Sequence, residues 1–264
     1  MRAILAFTGS PMAGEKISYD GKETSEGMAL EGHVALITGA TGGLGEVVTR
    51  TFLSHGATVV VSYRSPDSWG RLVQGFGPVR TRLHGVQADL LSADSIRRAV
   101  AEALKVAGHI DSLVNLVGGF AGGQPVAEAD EETWHRMLGL NLTSAFLISR
   151  AVLPHMLGRN RGRIVHVSSR AAVEPFPKAA AYIASKAGVI ALTRAIAAEV
   201  SGSGVTANVI LPGTMDTPAN RRNMPRADFS KWVRPQSLAN AILFLVSEEA
   251  GEVNGAQLPV FGAA

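Results

Sequence analysis

Cysteine is absent from this chain of 264 residues, and aromatic residues make up only 6% of it. The lack of cysteine excludes disulfides, zinc thiolates and thiol nucleophiles, and it suits a reducing cytoplasm, where we expect the protein. Charge of one sign is also lacking: 25 basic side chains stand against 22 acidic ones, and the basic ones are scattered, so we expect no nucleic-acid partner. No uninterrupted apolar run approaches the roughly 20 residues that span a bilayer, so we expect no membrane partner. Nor do we predict a metal site.

The residues that are present favour one compact α/β domain. Hydrophobic residues make up 46% and charged residues 18% of the chain, which is enough apolar material for a large buried core. From residue 33 onward, short strands rich in valine, isoleucine and leucine alternate with helices, a pattern that indicates a parallel sheet covered on both faces. We therefore predict a single doubly wound Rossmann-type domain with a parallel seven-stranded sheet. The strands are predicted at 34–38, 58–62, 83–88, 112–117, 162–168, 205–211 and 257–261, and the helices at 43–55, 92–107, 130–157, 179–200 and 235–247, with a short or broken helix at 65–80.

Two segments fall outside this regular alternation. Residues 1–27 have a short apolar start and then a polar stretch rich in glycine, glutamate and lysine. We predict that they form a flexible extension that catalysis does not need, and that the domain proper covers 28–264. Residues 213–232 follow the sixth strand, at the edge of the sheet where doubly wound proteins bind their ligands. We predict that this segment forms a substrate lid.

A glycine-rich loop joins the first strand to the first helix, with the sequence Thr38-Gly39-Ala40-Thr41-Gly42-Gly43-Leu44-Gly45. Unpaired amide groups and the positive end of the helix favour a pyrophosphate at such a place. Gly39 would allow the sharp turn, Gly43 would let the backbone approach the ligand, and Gly45 would let helix and strand pack closely. The position of the loop directly after a strand predicts nucleotide binding.

The end of the second predicted strand indicates which dinucleotide binds. An acidic residue there accepts hydrogen bonds from the adenosine ribose of NAD, whereas this chain has Ser62-Tyr63-Arg64-Ser65 and no carboxylate before Asp67. Arg64 is suited to pair bidentately with a 2′-phosphate, with Ser62 or Ser65 donating further hydrogen bonds. We predict that NADP(H) is favoured over NAD(H).

Three residues in the second half of the chain can move a proton onto or off a carbonyl oxygen. Tyr182 and Lys186 are four residues apart on a predicted helix and therefore share a face, and Ser169 follows the fifth strand. A nearby ammonium group and the positive charge of an oxidised nicotinamide favour phenolate, so we expect the pKa of Tyr182 to fall below its usual value of about 10. Ser169 would hold the reacting oxygen against the phenol. Together with the upstream phosphate loop, these residues predict hydride-transfer chemistry.

These motifs resemble those of the short-chain dehydrogenase/reductase family, with a core similar to the 3-oxoacyl-carrier-protein reductases, from about residue 30 to the C-terminus. The resemblance implies that Tyr182 is the general acid in reduction and the base in oxidation, and that Ser169 belongs to the catalytic set. It implies that Lys186 binds the nicotinamide ribose and tunes Tyr182. It further implies that Asn141 anchors a water that relays protons to Lys186.

The same resemblance implies further contacts to the cofactor. Asp89 would contact the adenine, Asn115 and Gly118 would line the cofactor, and Met215 and Thr217 would hold the carboxamide. The sequence departs from the family at Asn115-Leu116-Val117-Gly118, where Asn-Asn-Ala-Gly is usual, and around Phe261, where an aspartate is usual. The complete predicted cofactor-binding set is Gly39, Thr41, Gly43, Leu44, Gly45, Arg64, Asp89, Leu90, Asn115, Gly118, Tyr182, Lys186, Met215 and Thr217.

The predicted activity is an NADP(H)-dependent interconversion of a carbonyl and a secondary alcohol, and the substrate stays open among 3-oxoacyl thioesters, simple ketones and steroid-like ketones. The lid is also similar to that of dihydropteridine reductases, for example in Thr217-Pro218 and Met224-Pro225, although Ser169 and Arg64 argue against that activity. A third interpretation, from another class, is a non-catalytic sensor of NADP(H). Arg221, Arg222 and Arg226 in the lid either meet an acidic substrate group or are solvated.

We also predict a homo-oligomer, a homotetramer or a homodimer. The long helices at 130–157 and 179–200 carry apolar residues on more faces than packing on one sheet requires. In the resembling family these two helices form an interface with their symmetry mates, which fits isologous pairing. The apolar residues concerned are Met137, Leu140, Phe146, Val189, Leu192 and Ile196.

Overall fold

The computed structural model describes residues 30–263, and the predicted extension at 1–27 lies outside the described residues. The strands are β1 (Val34–Thr38), β2 (Thr58–Tyr63), β3 (Leu83–Gln87), β4 (Ser112–Asn115), β5 (Gly162–Val167), β6 (Val205–Pro212) and β7 (Gln257–Val260). The helices are α1 (Gly43–Ser54), α2 (Pro66–Gln74), α3 (Ala93–Ala107), α4 (Glu131–Met137), α5 (Ser144–Gly158), α6 (Ala180–Glu199), α7 (Pro218–Asn223) and α8 (Pro235–Val246).

The seven strands form one parallel sheet in the order β3-β2-β1-β4-β5-β6-β7. The predicted fold class is therefore confirmed. The strand order reverses direction beside β1, because β2 lies on one side of it and β4 on the other. In doubly wound sheets, ligands bind at this reversal, outside the carboxyl ends of the strands.

Two apolar layers cover the sheet because neighbouring residues of a strand face opposite sides. Ala35 and Ile37 of β1 face a core that α1, α2 and α8 complete. Val34 and Leu36 face the other core, which α3, α5 and α6 complete. All of these β1 side chains are buried. Since both faces are covered, the strands can be almost wholly apolar, as the sequence indicated.

The structure differs from the sequence-based prediction in the long helix at 130–157. It consists of α4, a π-helical segment at Leu138–Thr143, and α5, which continues through Pro154 to Gly158. The wider π-helical turn lies where Asn141 is buried. Such turns are frequent at functional sites because they redirect a side chain that a regular helix would place elsewhere. The predicted short helix after β2 exists as α2, which Ser65 caps by accepting a hydrogen bond from the amide of Ser68.

Two helical stretches are longer and more apolar than the uninterrupted runs suggested. Glu131–Gly158 and Ala180–Glu199 have mean hydropathies of 1.3 and 1.2, so by length and composition alone either could cross a membrane. Core helices of water-soluble proteins pass the same test, which makes it weak evidence for a membrane span. In the most apolar 18 residues of each stretch, 39% and 44% of the residues are buried within the chain.

Candidate active site

The glycine loop between β1 and α1 makes a tight turn at the carboxyl ends of the strands. Gly39 has φ of +72°, a left-handed conformation that favours glycine, and its position lies against the backbone of Leu116. A Cβ on Gly45 would collide with the carbonyl oxygen of Gly39. The two glycines therefore permit the tight turn and close packing that the sequence predicted. No side chain caps the start of α1, so its first amide groups point into the loop without a side-chain partner.

Gly43 serves a second purpose that the sequence did not indicate. A Cβ at this position would lie 3.2 Å from Cγ2 of Thr217, in the segment after β6. Thr217 is buried and caps α7 by accepting a hydrogen bond from the amide of Asn220 at 3.2 Å. Residues 213–232, the predicted lid, therefore contact the glycine loop directly. Both predicted cofactor-binding regions meet at this contact.

A groove of 190 Å³ begins at the glycine loop and extends towards β2 and β3. Ser62 and Arg64 line one side of it, and Asp89 and Leu90 line another. The carboxylate of Asp89 accepts a hydrogen bond from the amide of Leu91 at 3.0 Å, which fixes this turn. The complete lining is Gly39, Thr41, Ser62, Tyr63, Arg64, Ala88, Asp89, Leu90, Leu91, Val117, Leu140 and Ser144.

Arg64 also borders a second cavity, of 350 Å³, together with Arg98 and Ser95 of α3. The Arg64 side chain is exposed, and its backbone carbonyl accepts a hydrogen bond from Gln87 at 3.0 Å. Ser65, one of two predicted helpers of Arg64, is engaged in capping α2. The Ser65 hydroxyl only accepts in this cap, so it can still donate, and Ser62 lines the groove.

Tyr182, Ser169 and Lys186 come together beyond β5. Tyr182 is the third residue of α6, and Lys186 follows one turn later on the same face. Ser169 lies just past β5, where its side chain acts to lower the pKa of the Tyr182 hydroxyl, and the Ser169 oxygen accepts from the amide of Ala171 at 3.2 Å. The Lys186 ammonium donates to the carbonyl of Val167 at 2.9 Å. The predicted catalytic group is thus assembled by one strand end and one helix face.

Asn141 and Lys186 approach the same point from two helical segments. A Cβ on Gly118 would lie 2.8 Å from Oδ1 of Asn141 and 2.9 Å from Nζ of Lys186. Only a glycine leaves this space open. Oδ1 of Asn141 accepts from the amide of Gly119 at 2.8 Å, and Nδ2 donates to the Gly119 carbonyl at 3.1 Å. The π-helical segment thereby holds the loop that follows β4.

A family model described as short chain dehydrogenase matches residues 33–227. The chain belongs to the short chain dehydrogenase family. It is 32% identical over 243 residues to the 3-oxoacyl-[acyl-carrier-protein] reductase of Thermotoga maritima, which covers 89% of this chain and 98% of that protein. It is 33% identical to the D-threitol dehydrogenase of Mycolicibacterium smegmatis, over 88% of this chain and 93% of that protein. The actinorhodin polyketide ketoreductase solved with NADPH superposes with a TM-score of 0.81 at 30% identity, over 87% and 96% of the two chains.

This short chain dehydrogenase is therefore an oxidoreductase that acts on hydroxyl or carbonyl groups and binds a nicotinamide cofactor. Among its residues, Asn115 has a structural contact: its Oδ1 accepts from the Thr38 hydroxyl, which joins β4 to β1. The backbone carbonyl of Met215 accepts from Asn220 at 2.8 Å. The Leu44 side chain is buried in the core, which leaves its backbone as the part facing the loop.

The expected direction of the Tyr182 pKa shift is wrong for the protein without cofactor. Burial raises the pKa of Tyr182, because the phenolate loses water, and the hydrogen bond from Ser169 offsets only part of that rise. Burial also lowers the pKa of Lys186 to about 8. The Lys186 ammonium is directed at the Val167 carbonyl. Tyr182 is therefore a protonated phenol at neutral pH in this structure, which suits a proton donor.

Sequence reasoning missed Ser185, which lies next to Lys186. Its hydroxyl donates to the Tyr182 carbonyl at 2.7 Å and accepts from Nδ2 of Asn141 at 2.9 Å. Ser185 thus links the catalytic helix to the π-helical segment. Its spacing of three residues from Tyr182 was visible in the sequence, but the partner 44 residues away was not.

Within the predicted lid, residues 213–232, Arg221 forms an ion pair with Asp216. Arg221 donates two hydrogen bonds to Asp216, at 2.5 and 2.8 Å, and its guanidinium lies 4.6 Å from the ring centre of Phe229. Phe229 in turn packs on Trp232 at 4.7 Å. Of the three lid arginines, Arg221 is therefore engaged within the lid. The predicted choice between substrate binding and solvation applies to Arg222 and Arg226, both exposed.

Proposed function

We propose that this protein uses NADP(H) to interconvert a carbonyl compound and a secondary alcohol, with Tyr182 as proton donor and acceptor. The observation that carries the proposal is the placement of Tyr182 one turn from the buried Lys186 on α6, with Ser169 close enough to lower the pKa of the Tyr182 hydroxyl. In the reductive direction, Tyr182 donates its proton to the carbonyl oxygen. Ser169 orients that oxygen by a hydrogen bond.

The residues fit a dinucleotide. The uncapped start of α1 and the turn at Gly39 suit a pyrophosphate, and the groove beside Asp89 and Leu90 suits an adenosine. Arg64 in this groove offers a bidentate partner for a 2′-phosphate, and no carboxylate follows β2 before Asp67. When bound, the reduced nicotinamide supplies a hydride to the carbonyl carbon. The proton that the carbonyl oxygen also needs comes from the side chains of the protein.

Lys186 and Asn141 provide for the return of that proton. The Lys186 ammonium, with its pKa lowered to about 8, can give up and regain a proton near neutral pH. Because Asn141 and Lys186 both border the space beside Gly118, that space suits a water between them. We propose that Asn141 holds this water. We also propose that residues 213–232 close over the site as a lid, anchored where Thr217 packs on Gly43.

Replacement of the catalytic phenol tests the proposal. Tyr182→Phe removes the transferable proton and keeps the ring, so we expect kcat for ketone reduction to fall at least about a hundredfold. NADPH affinity, measured by fluorescence titration, should change little. Steady-state oxidation of NADPH with a panel of ketones gives the rates.

Ser54→Ala is the control, because it removes an exposed hydroxyl from the last residue of α1, which does not line the groove. It should leave kcat nearly unchanged. Near-wild-type turnover by Tyr182→Phe would contradict the mechanism. NADPH binding without turnover of any ketone or alcohol would favour the sensor interpretation, and turnover of only quinonoid dihydropteridine would favour the pteridine alternative.

A further inference from the structure

An exposed phenylalanine packs against the ring of Tyr182. Phe120 belongs to the loop after β4 and is 63% exposed, although a ring of this size is usually buried. Its ring centre lies 5.0 Å from that of Tyr182, with an angle of 74° between the planes. This edge-to-face arrangement is a favourable one for aromatic pairs. One ring edge thus supports the catalytic phenol while much of the ring remains open to solvent.

A second exposed phenylalanine comes from a different loop. Phe176 lies between β5 and α6, is 46% exposed, and has its ring centre 6.4 Å from that of Phe120. Val173 on the same loop is also exposed, at 48%. Together, Phe120 and Phe176 form what we call the aromatic wall. It stands beside Tyr182.

The aromatic wall is held in place by its backbone. The amide of Gly123 donates to the carbonyl of Lys178 at 2.7 Å, which ties the Phe120 loop to the Phe176 loop. Phe176 stands between Pro175 and Pro177, and prolines on both sides restrict its backbone to extended conformations. A Cβ on Gly122 would lie 3.0 Å from the Phe120 ring, so the turn requires a small residue. The two rings are therefore positioned before any ligand arrives.

Of the charged side chains near the wall, Arg170 and Glu174 pair with one another. The Arg170 guanidinium donates to Glu174 at 2.7 Å and lies over the ring of Phe261. Lys178 is exposed at the end of the loop. An ionic or polyhydroxylated substrate placed against the wall would lose water without gaining hydrogen bonds from the ring faces, which is costly. An apolar ring placed there would gain both burial and ring contacts.

We propose that the aromatic wall binds the apolar, ring-bearing part of the substrate, so that this enzyme prefers aryl- or cycloalkyl-substituted ketones to small aliphatic, polyol or carboxylate ones. The inference rests on the proposed function, since the reacting carbonyl must reach the Tyr182 hydroxyl. The ring centre of Phe120 lies 5.0 Å from that of Tyr182. A ring two or three bonds from the carbonyl carbon therefore lies within reach of Phe120.

Three methyl ketones with the same groups around the carbonyl provide the test: benzylacetone, butanone and levulinate. They carry a phenyl group, a hydrogen and a carboxylate at the same distance from the carbonyl. We expect kcat/KM with NADPH to be at least about tenfold higher for benzylacetone than for butanone. Levulinate should be the poorest of the three.

Variants of the wall then assign the preference to its residues. Phe120→Ala should reduce the benzylacetone-to-butanone ratio about three- to tenfold, and Phe176→Ala should reduce it in the same direction. The ratio is the informative quantity, because any effect of Phe120 on Tyr182 itself acts on both ketones. Phe244→Ala removes an equally exposed phenylalanine from α8 and should leave the ratio unchanged. If Phe120→Ala does not fold, the benzylacetone-to-butanone ratio is measured for Phe120→Leu and Phe176→Ala instead.

The outcomes separate this inference from the proposed function. A ratio near one in the unaltered enzyme, or a high ratio that neither wall variant lowers, would overturn the inference while ketone reduction stands. Oxidation of NADPH with none of the three ketones would overturn the proposed function together with the inference. A high ratio that falls in both wall variants and not in Phe244→Ala would support it.

Discussion

At the scale of single residues, Arg64 decides the predicted cofactor preference. It borders both the groove and the neighbouring cavity, and its side chain is exposed. Arg64→Ala should weaken NADPH about ten- to hundredfold and NADH much less, because only NADPH carries the 2′-phosphate and a charge-assisted bond contributes about 1.5–3 kcal/mol. Dissociation constants from fluorescence titration check this. Arg71→Ala, which removes an exposed arginine from α2, is the control, and equal losses for both cofactors in Arg64→Ala would reject the assignment.

The pKa of Tyr182 predicts how activity depends on pH. Burial raises that pKa, so the phenol stays protonated through neutral pH and can donate in ketone reduction. Alcohol oxidation needs the phenolate. As long as the pH is below the pKa, the phenolate population rises about tenfold for each unit of increase in pH. We therefore expect kcat/KM for oxidation to rise from pH 7 to about 9, while that for reduction stays level or falls. Parallel pH profiles in the two directions would contradict Tyr182 as the group that exchanges the proton.

At the scale of secondary-structure elements, His166 connects the strand and the helices that carry the site. It lies in β5, is wholly buried, and is hydrogen-bonded to Ser149 of α5 at 2.9 Å and to Thr193 of α6 at 2.8 Å. Burial, with a smaller contribution from the positive charge of Lys186, lowers the pKa of His166 to about 4. The folded protein therefore holds the neutral ring. The strand and both helices are joined through it.

Acid should weaken the fold through this residue. In the unfolded chain this histidine is protonated as the pH falls through about 6.5. In the folded protein His166 stays neutral until about pH 4. The stabilisation present above pH 6.5 is therefore lost as the pH falls between these two values. From pH 7.5 to pH 5, the loss amounts to about 2 kcal/mol in the free energy of unfolding. Urea unfolding at both pH values measures it. His33, whose pKa is also about 4, adds its own loss, so His166→Asn should reduce the pH dependence without abolishing it.

At the scale of the whole molecule, the predicted homo-oligomer rests on fewer residues than the sequence suggested. Met137, Val189 and Ile196, which the prediction counted as available for an interface, are buried in the protomer's own core. That part of the argument is wrong, because α4 and α6 pack against other elements of the same chain. Exposed apolar side chains nevertheless remain on α4 and α5, namely Trp134, Phe146 and Leu157.

We expect a tetramer in light scattering at micromolar concentration, formed through these remaining surfaces. Phe146→Glu should shift the tetramer towards smaller species, because the new carboxylate would be buried in an interface. The protomer itself should tolerate the change, because the carboxylate can pair with Arg150, whose guanidinium now lies 5.3 Å from the Phe146 ring. Val106→Glu, on an exposed position of α3, should leave the mass unchanged. A monomer in the unaltered protein would contradict the prediction.

The sequence by itself determined the alternation of strands and helices, the parallel sheet and the residues that meet at its carboxyl edge. These follow from local patterns: apolar strands with covered faces, a glycine turn before α1, and the spacing of Tyr182 and Lys186 on one helix. Such patterns are carried by neighbouring residues. They therefore survive without knowledge of the tertiary contacts.

Only the tertiary structure decided what depends on distant partners. It placed Ser185 between Tyr182 and Asn141, set Thr217 against Gly43, and turned the pKa of Tyr182 upward. From the sequence we predicted a lowered pKa for Tyr182, because the spacing shows that Lys186 is a neighbour. The spacing does not show how strongly Tyr182 is desolvated. Desolvation depends on everything packed around a group. For the same reason the exposed ring of Phe120 beside the catalytic phenol could be found only in the folded chain.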